Sequence, residues 1–342
     1  MKVVTIDDIA KAAGVGKGTV DRVLHERGRV APETREKVLK YIRELNYKPN
    51  MAARMLAKKR TYRIAVTYHD MEKEFWGQVE SGIKRAEEQY RQQGVIIDRY
   101  ILSEINSQEQ VEVINHVIEE KYDGLAIVPY CSEQVLQAME KAVSSGVKVI
   151  TFNNDERCSD ISYVGDDTLQ SGRTAGKLMG LIAKPQSRYI VMLPGIGLMG
   201  ALDKRYKGFK EVIESLRTDM QLVEVIDAKE DYHQAYERLY KILSETEIDA
   251  IYATNVIVAD AARAIEERNL KGKIKVVGHD LTDSVLKYLR SGTIDISIGQ
   301  EPDRQGYLAI DKLCKQLLLE EKNQKDVYTR IEIVVAENEK YS

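Results

Sequence analysis

Cysteine is scarce in this chain, since only Cys131, Cys158 and Cys314 occur among 342 residues. They lie far apart and form no CxxC pair, and the five histidines are equally scattered. A disulfide framework or a zinc site needs closely spaced ligands, so neither is expected. The pattern is typical of reduced thiols in the cytoplasm.

Long apolar runs and the common catalytic motifs are also missing. No run approaches the roughly 20 residues that cross a bilayer, and residues 1–5 contain no signal-peptide core. The sequence has no HExxH, no Walker lysine loop and no G-x-S-x-G. A cytoplasmic protein with no membrane partner, no cofactor and no enzyme activity is therefore expected.

The charge that is present is unevenly distributed. Residues 1–60 hold 15 Lys or Arg and 7 Asp or Glu, a net charge of +8, whereas residues 61–342 hold 36 and 47, a net charge of −11. A compact basic module binds duplex DNA by releasing counterions from the phosphates. The near-neutral whole chain therefore hides a candidate DNA-binding head on an acidic body.

The head has the pattern of a helix-turn-helix. Thr5 is a good N-cap with Asp8 three residues later, and Gly14 ends the first predicted helix. A second short helix is predicted from Gly16 to Leu24, and a third begins at Pro32. The buried stripe predicted for the third helix is Val38, Leu39, Ile42 and Leu45. Any small three-helix bundle would share this pattern, but the basic bias favours DNA binding.

A longer run of residues carries a family resemblance. It comprises TIDDIAKAAGV from Thr5 to Val15, Thr19-Val20, Arg22-Val23-Leu24, TREKV from Thr34 to Val38, LNYKPN from Leu45 to Asn50, and ARMLA from Ala53 to Ala57. Together these residues resemble the lactose-repressor (LacI/GalR) family of bacterial regulators.

This resemblance implies that the second helix enters the major groove. Lys17 and Gly18 match base-contacting positions, and Arg22 matches an arginine that reads guanine. Residues 50–59 resemble the hinge helix of the family, in which Leu56 matches a wedge inserted into the minor groove; ordinary dimer packing is the alternative for Leu56. The implied DNA-binding set is Thr5, Lys17, Gly18, Thr19, Arg22, Asn50, Ala53, Arg54 and Leu56.

The body alternates predicted strands and helices. Apolar strands at 63–68, 95–101, 124–128 and 148–152 are separated by helices, and the cycle restarts at residue 188. Continuous apolar strands between helices indicate parallel sheets covered on both faces. Two such halves predict two α/β subdomains with a ligand cleft at the carboxyl ends of their strands.

The body also resembles the type I periplasmic sugar-binding proteins, which form the effector module of the same family. Aromatic side chains stack on the apolar faces of sugars, while carboxylate, amide and guanidinium groups bind the hydroxyl rim. Arg205 could also pair with a carboxylate or phosphate of the ligand. The positions that match ligand residues are Phe75, Trp76, Asn153, Asn154, Asp155, Arg205, Tyr232, Asn255, Asp280 and Gln300. Helix capping or core packing is the alternative for each.

One motif favours a different function. Gly195 to Gly200 reads G-x-G-x-x-G after a predicted strand, which is typical of dinucleotide sites. A dinucleotide enzyme fused to a DNA-binding head is therefore a second hypothesis. A strand-to-helix turn that presents Arg205 is the alternative for these glycines.

The combined prediction is an all-α helix-turn-helix head with an α/β body of two parallel-sheet subdomains. The predicted head covers residues 1–46, the hinge 47–60 and the body 61–342. The first subdomain is placed at 61–159 plus 295–322, and the second at 160–294 plus 323–342. The expected function is a DNA-binding regulator, acting as a homodimer on a near-palindromic double-stranded operator and controlled by a small carbohydrate-like effector. The family resemblance implies a repressor that the effector releases from DNA. A regulator of a non-sugar small molecule stays open.

Overall fold

The structure is a computed structural model that describes residues 4–24, 28–45, 47, 60–158, 160–229, 231–321 and 325–341. The chain divides into two compact units, Met1–Arg60 and Thr61–Ser342, which are described separately below. The predicted hinge contacts at Asn50, Ala53, Arg54 and Leu56 lie outside the described residues.

Three helices form the described part of the head, namely α1 (Ile6–Ala13), α2 (Lys17–Leu24) and α3 (Pro32–Glu44). Thr5 caps α1, because its Oγ1 accepts from the backbone N–H of Asp8 and the Asp8 carboxylate accepts from the N–H of Thr5. Gly14 ends α1 at φ 63°, a backbone conformation that favours glycine. The predicted helix-turn-helix is therefore confirmed.

The head is held together by a small apolar core. Ile9 and Ala13 of α1, Val20 and Val23 of α2, and Val38 of α3 are buried. Leu39 was predicted to share the buried stripe of α3, but it is 38% exposed. The helix rotates by about 100° per residue, so Leu39 points away when Val38 points inward.

The body consists of two lobes, each built on a parallel sheet covered by helices. The first sheet has the strand order β11-β5-β4-β3-β1-β2. Its strands are β1 (Tyr62–His69), β2 (Val95–Leu102), β3 (Gly124–Ile127), β4 (Lys148–Phe152), β5 (Ser162–Gly165) and β11 (Val327–Tyr328). Its helices are α4 (Lys73–Arg91), α5 (Ser107–Glu119), α6 (Glu133–Ser144) and α12 (Pro302–Leu319).

The second lobe repeats this design with the strand order β12-β10-β9-β8-β6-β7. Its strands are β6 (Arg188–Leu193), β7 (Gln221–Asp227), β8 (Ala250–Ala253), β9 (Lys275–His279), β10 (Ile296–Gly299) and β12 (Glu332–Val334), of which β12 alone pairs antiparallel. Its helices are α7 (Thr168–Ile182), α8 (Gly200–Leu216), α9 (Tyr232–Glu245), α10 (Val258–Glu267) and α11 (Asp283–Ser291). Within the described residues, none of the helices has the length and apolar character needed to cross a membrane.

The predicted subdomain limits differ from the sheets at three places. Strand β5 lies in the first sheet although it was assigned to the second subdomain, and β10 lies in the second sheet although it was assigned to the first. Strand β11 pairs with β5 and so belongs to the first lobe rather than the second. The chain therefore passes between lobes after β5, β10 and β11. Short strands with serine, tyrosine and glycine have little apolar signal, so only their pairing reveals which sheet they join.

Candidate functional site

A cavity lies between the two lobes at the carboxyl ends of their strands. The space between its lining atoms, including the open mouth, is about 690 Å³. The strand order reverses between β1 and β3, which places the cavity at a topological switch point. Eight of the predicted ligand residues line it, namely Phe75, Trp76, Asn153, Arg205, Tyr232, Asn255, Asp280 and Gln300.

Aromatic side chains form the wall contributed by the first lobe. Phe75 and Trp76, in the first turn of α4, are 6% and 3% exposed. The Phe75 ring meets Trp76 edge-on at 5.2 Å, and Tyr68 stacks on Trp76 at 5.1 Å. Neighbouring rings thus hold both side chains in fixed orientations at the cavity.

Arg205, which lines the cavity on the side of the second lobe, belongs to a buried ion pair. Arg205 of α8 donates from Nη2 to Asp166 Oδ2 at 3.1 Å and from Nη1 to the carbonyl of Thr254 at 2.7 Å. The side chains of Arg205 and Asp166 are 2% and 0% exposed. Asp166 was missed at the sequence level, because it follows β5, a strand that the apolar pattern did not reveal.

A chain of amide hydrogen bonds joins both lobes at the cavity. Gln300 donates to Asp280 Oδ1 at 2.7 Å, and Gln305 of α12 donates to the Gln300 carbonyl at 2.8 Å. Asn153 in turn donates to Gln305 Oε1 at 3.2 Å. Because Gln300 lies where the chain passes between lobes, this network couples the first lobe to Asp280 in the second.

Asp280 combines an unusual backbone with an unusual carboxyl group. It follows β9 at φ 74°, a conformation that Asp and Asn tolerate better than most side chains. Burial raises the pKa of its carboxyl to about 6, while the nearby Arg205 guanidinium and the Gln300 hydrogen bond oppose that rise. Asp280 thus presents a buried carboxyl group to the cavity, where it can form hydrogen bonds with a ligand.

Glu72 connects the two lobes at the cavity and was not predicted. Its Oε1 accepts from the Tyr232 hydroxyl at 2.6 Å, and its Oε2 accepts from Trp76 Nε1 at 3.1 Å. Asn255 donates to the Tyr232 oxygen at 2.7 Å. Two effects raise the pKa of Tyr232 well above its ordinary value: burial is the larger, and the nearby Glu72 carboxylate is the second. The sequence signal that could have identified Glu72 is its position three residues after the end of β1.

Two predicted ligand residues do not line the cavity. Asn154 is fully buried and caps α8, because its Oδ1 accepts from the N–H of Ala201 at 2.8 Å while its amide donates to the carbonyl of Pro129. Asp155 pairs with Arg157 at 2.6 Å. The alternative of helix capping therefore holds for Asn154, and Asp155 serves an ion pair within the first lobe.

The lobes also contact each other along the start of α4. Glu74 Oε2 accepts from the N–H and hydroxyl of Ser284, at 3.1 and 2.6 Å, and these hydrogen bonds lower the pKa of Glu74. Gln78 donates to the carbonyl of Leu281 at 3.1 Å. The body is thus in a closed arrangement with several polar contacts across the cleft.

The G-x-G-x-x-G segment forms the loop between β6 and α8. The N–H of Gly197 donates to Asp203 Oδ2 at 2.9 Å, and the N–H of Ile196 donates to Asp227 Oδ1 at 3.3 Å. The backbone N–H of Ala201, in the first turn of the following helix, already donates to Asn154 Oδ1. A pyrophosphate needs such N–H groups open and no carboxylate beside them, so this arrangement is unsuited to a dinucleotide.

The predicted DNA-reading residues share one face of α2. Lys17, Gly18 and Arg22 are exposed, opposite the buried Val20 and Val23, and Thr19 is half-buried. Arg22 Nε donates to the carbonyl of Gly18 at 3.1 Å, and Lys17 Nζ lies 2.6 Å from Asp7 Oδ2. Both cations are thus partly engaged within the head, while Thr5 serves as the cap of α1.

Both units match known protein families. Residues 64–322 match the family described as periplasmic binding protein domain, and residues 5–50 match the bacterial regulatory proteins of the lacI family. The chain resembles the HTH-type transcriptional regulator DegA of Bacillus subtilis, with 26% identity over 81% of this chain and 82% of that protein.

Two further similarities concern the ribose operon repressor of Halalkalibacterium halodurans and a solved structure. The repressor is 27% identical over 81% of this chain and 80% of its own length. The fold also resembles GanP, described as a glucose-galactose binding protein from Geobacillus stearothermophilus, with a TM-score of 0.73 at 20% identity over 82% of this chain and 99% of GanP. The chain therefore belongs to the lacI family of bacterial transcriptional regulators, with a periplasmic binding protein domain as its body.

Proposed function

We propose that this regulator is a repressor that binds a near-palindromic operator as a homodimer and is released from DNA by a small carbohydrate. The observation that carries the proposal is the cavity between the lobes. Its lining combines the aromatic rings of Phe75 and Trp76 with the polar groups of Arg205, Asp280 and Asn255. A sugar ring presents the matching surfaces, an apolar C–H face and a rim of hydroxyls.

The surrounding contacts support coupling between cavity and lobes. Tyr232 and Asn255 of the second lobe reach Glu72 of the first through hydrogen bonds. A ligand that contacts both lobes stabilises the closed arrangement more than an open one, and only such a difference in affinity can shift the equilibrium. The names of the ribose operon repressor and GanP agree with a sugar as the ligand.

A binding screen tests the effector. Purified protein is heated with pentoses, hexoses, polyols and sugar acids, and compounds that raise its melting temperature are measured by calorimetry. One class of carbohydrate should bind with one molecule per chain, and Asn255→Ala should weaken that binding. The surface variant Glu211→Gln, which lies on α8 away from the cavity, should bind normally. A screen in which only non-sugar compounds bind would contradict the carbohydrate assignment.

A second measurement tests the DNA half of the proposal. Binding to palindromic duplexes is followed by fluorescence anisotropy with and without the identified effector, and the mass of the complex is determined by light scattering. Two chains per palindrome and weaker binding with effector are expected. One chain per duplex would overturn the homodimer, and tighter binding with effector would overturn release.

The dinucleotide alternative receives no support from the loop at Gly195 to Gly200, whose N–H groups are engaged by Asp203 and Asp227. We therefore propose a regulator without enzyme activity. Incubation of the protein with nicotinamide dinucleotides and its effector should produce no change in absorbance of the cofactor. Turnover that disappears in Asp280→Asn would contradict this part of the proposal.

A further inference from the structure

The cavity holds more carboxylates than basic groups. Glu72 and Asp280 both line it, and Arg205 is the sole Lys or Arg among its described lining residues. His69 also lines the cavity, but burial lowers the pKa of its imidazole, so it adds no positive charge at neutral pH. The electrostatic environment of a bound ligand is therefore dominated by negative charge.

Arg205 compensates for only part of this excess, because it also balances the charge of Asp166. One Nη atom donates to the Asp166 carboxylate at 3.1 Å, and the other donates to the Thr254 carbonyl at 2.7 Å. The sequence suggested that Arg205 could pair with a carboxylate or phosphate of the ligand, but its carboxylate partner is supplied by the protein. Arg205 Nε has no hydrogen-bond partner in the described residues, but the charge of the guanidinium is already balanced by Asp166. An acidic ligand would therefore add a negative charge beside Glu72 and Asp280, which is costly in a site shielded from water.

A carboxylate and an imidazole nitrogen lie together at the Glu72 end of the cavity. The Nδ1 atom of His69 lies 3.7 Å from Glu72 Oε2. This nitrogen is buried and has no hydrogen-bond partner in the described parts of the chain, and the whole residue is 4% exposed. The indole of Trp76 stands 4.8 Å from the same imidazole. A carboxylate, an unpartnered nitrogen and an aromatic face together suit a group with several N–H donors and a positive charge.

We propose that the effector is a carbohydrate carrying a protonated amine, bound at the Glu72 end, and that the cavity excludes phosphorylated and carboxylated sugars. This inference rests on the proposed carbohydrate effector and specifies its charge. Each Glu72 oxygen accepts one hydrogen bond from the protein and keeps a second lone pair, to which a protonated amine donates. The amine also donates to His69 Nδ1 in the tautomer whose proton is on Nε2, and it neutralises part of the local charge, whereas a hydroxyl has only one donor and no charge.

Calorimetry on the full chain with matched sugars tests the proposal. Each set, in the gluco, galacto, manno and ribo series, contains the parent sugar, amino-deoxy forms at different carbons, an N-acetylated form, a phosphate and a sugar acid. The N-acetylated form keeps a substituent on the nitrogen but removes its charge. In the series that binds, an amino-deoxy sugar should bind roughly tenfold or more tightly than the parent sugar and the N-acetylated form. The phosphate and the acid should not bind measurably.

A pair of variants locates the effect. Glu72→Gln keeps the side-chain length and one acceptor oxygen but removes the charge, so the ratio between the affinities of the amino sugar and the parent sugar should fall to about one. Glu88→Gln, an exposed position on the same helix α4, should leave the full preference intact. Circular dichroism confirms that both variants are folded.

The outcomes separate the two claims. Tightest binding by a neutral sugar, a phosphate or an acid overturns this inference and leaves the carbohydrate effector standing. An amine preference that persists in Glu72→Gln also overturns it, because the charge of Glu72 would then not be responsible. If no carbohydrate binds, the proposed function falls and this inference falls with it.

Discussion

Arg205 Nη2 lies 3.1 Å from Asp166 Oδ2, with the two side chains 2% and 0% exposed. Asp166→Asn would leave the guanidinium without its buried counter-charge. We expect the free energy of unfolding to fall by roughly 3–5 kcal/mol, the usual cost of removing one partner of a buried ion pair. Urea denaturation measures the change. Glu211→Gln removes a carboxylate from the exposed Arg173 pair, and should cost less than about 1 kcal/mol. Equal effects would show that burial of the Arg205 pair is unimportant.

Helix α8, which carries Arg205, lies against α7 through a glycine. A Cβ atom on Gly172 would stand 1.9 Å from the backbone oxygen of Arg205, so Gly172→Ala must push the two helices apart. We expect a loss of about 1–3 kcal/mol in unfolding free energy, together with weaker effector binding in calorimetry because Arg205 is displaced. Gly77→Ala is the matched control, since a Cβ there meets nothing within 4 Å. It should stabilise α4 by up to about 1 kcal/mol, and a similar gain for Gly172→Ala would be contrary evidence.

The Asp280 carboxyl makes stability depend on pH. Its pKa is raised to about 6 in the folded protein, so folding favours the protonated form. Its contribution is fully present below the unfolded pKa near 4 and is lost as the pH rises through 6. Asp280→Asn keeps a residue that tolerates φ 74° and removes the titration. As the pH rises from 4 to 6, the free energy of unfolding of the variant should therefore increase relative to that of the parent, by a total on the order of 3 kcal/mol. Urea midpoints at several pH values measure it, and parallel curves would contradict the buried carboxyl.

The Glu74 contact should favour the closed arrangement of the lobes. Its carboxylate accepts two hydrogen bonds from Ser284 across the cleft. Glu74→Ala removes both, and we expect weaker effector binding by several-fold with a larger radius of gyration in small-angle scattering. Glu88→Ala, on the exposed side of α4, should change neither quantity. Unchanged affinity in Glu74→Ala would mean that the contact adds nothing to closure.

Arg22 should determine which DNA sequences the head prefers. Its side chain lies on the exposed face of α2, above the carbonyl of Gly18. Arg22→Ala should reduce the affinity for the operator by about 1–3 kcal/mol and leave binding to random duplex nearly unchanged. Arg43→Ala removes an equal charge from α3 and should preserve the preference between sequences. Anisotropy titrations of both variants on both duplexes, over a range of salt concentrations, measure these effects. If Arg22→Ala and Arg43→Ala behave alike, Arg22 contributes only its charge.

Much of the fold could be predicted because its signals are local. Thr5, Asp8 and Gly14 form a cap and a helix end that depend on neighbours only a few residues away. The apolar strands β4 and β6 could be placed from their own residues, since the strand interior of a covered parallel sheet is apolar throughout. Strands β5, β10 and β11 are short and partly polar, so the lobe to which each belongs depends on pairing with distant segments.

The site divides in the same way. Residues at strand ends, such as Asn255 and Asp280, could be predicted because parallel strands bring their carboxyl ends to one edge. Asn153 and Asn154 are adjacent and chemically identical, yet the first lines the cavity and the second caps α8. The backbone turns between them, with Asn153 at φ 62°, and no composition or spacing argument distinguishes two amides in that position.

The sequence by itself determined the helix-turn-helix, the concentration of positive charge in residues 1–60 and the doubling of the α/β body, because helix caps, net charge and hydrophobic period are properties of neighbouring residues. Only the tertiary structure decided that Asp166 neutralises Arg205, that Glu72 reaches Tyr232 from the opposite lobe, and that the glycine loop is closed by Asp203 and Asp227. These partners come from different elements, and their electrostatic effect depends on distances of about 3 Å inside a region shielded from water.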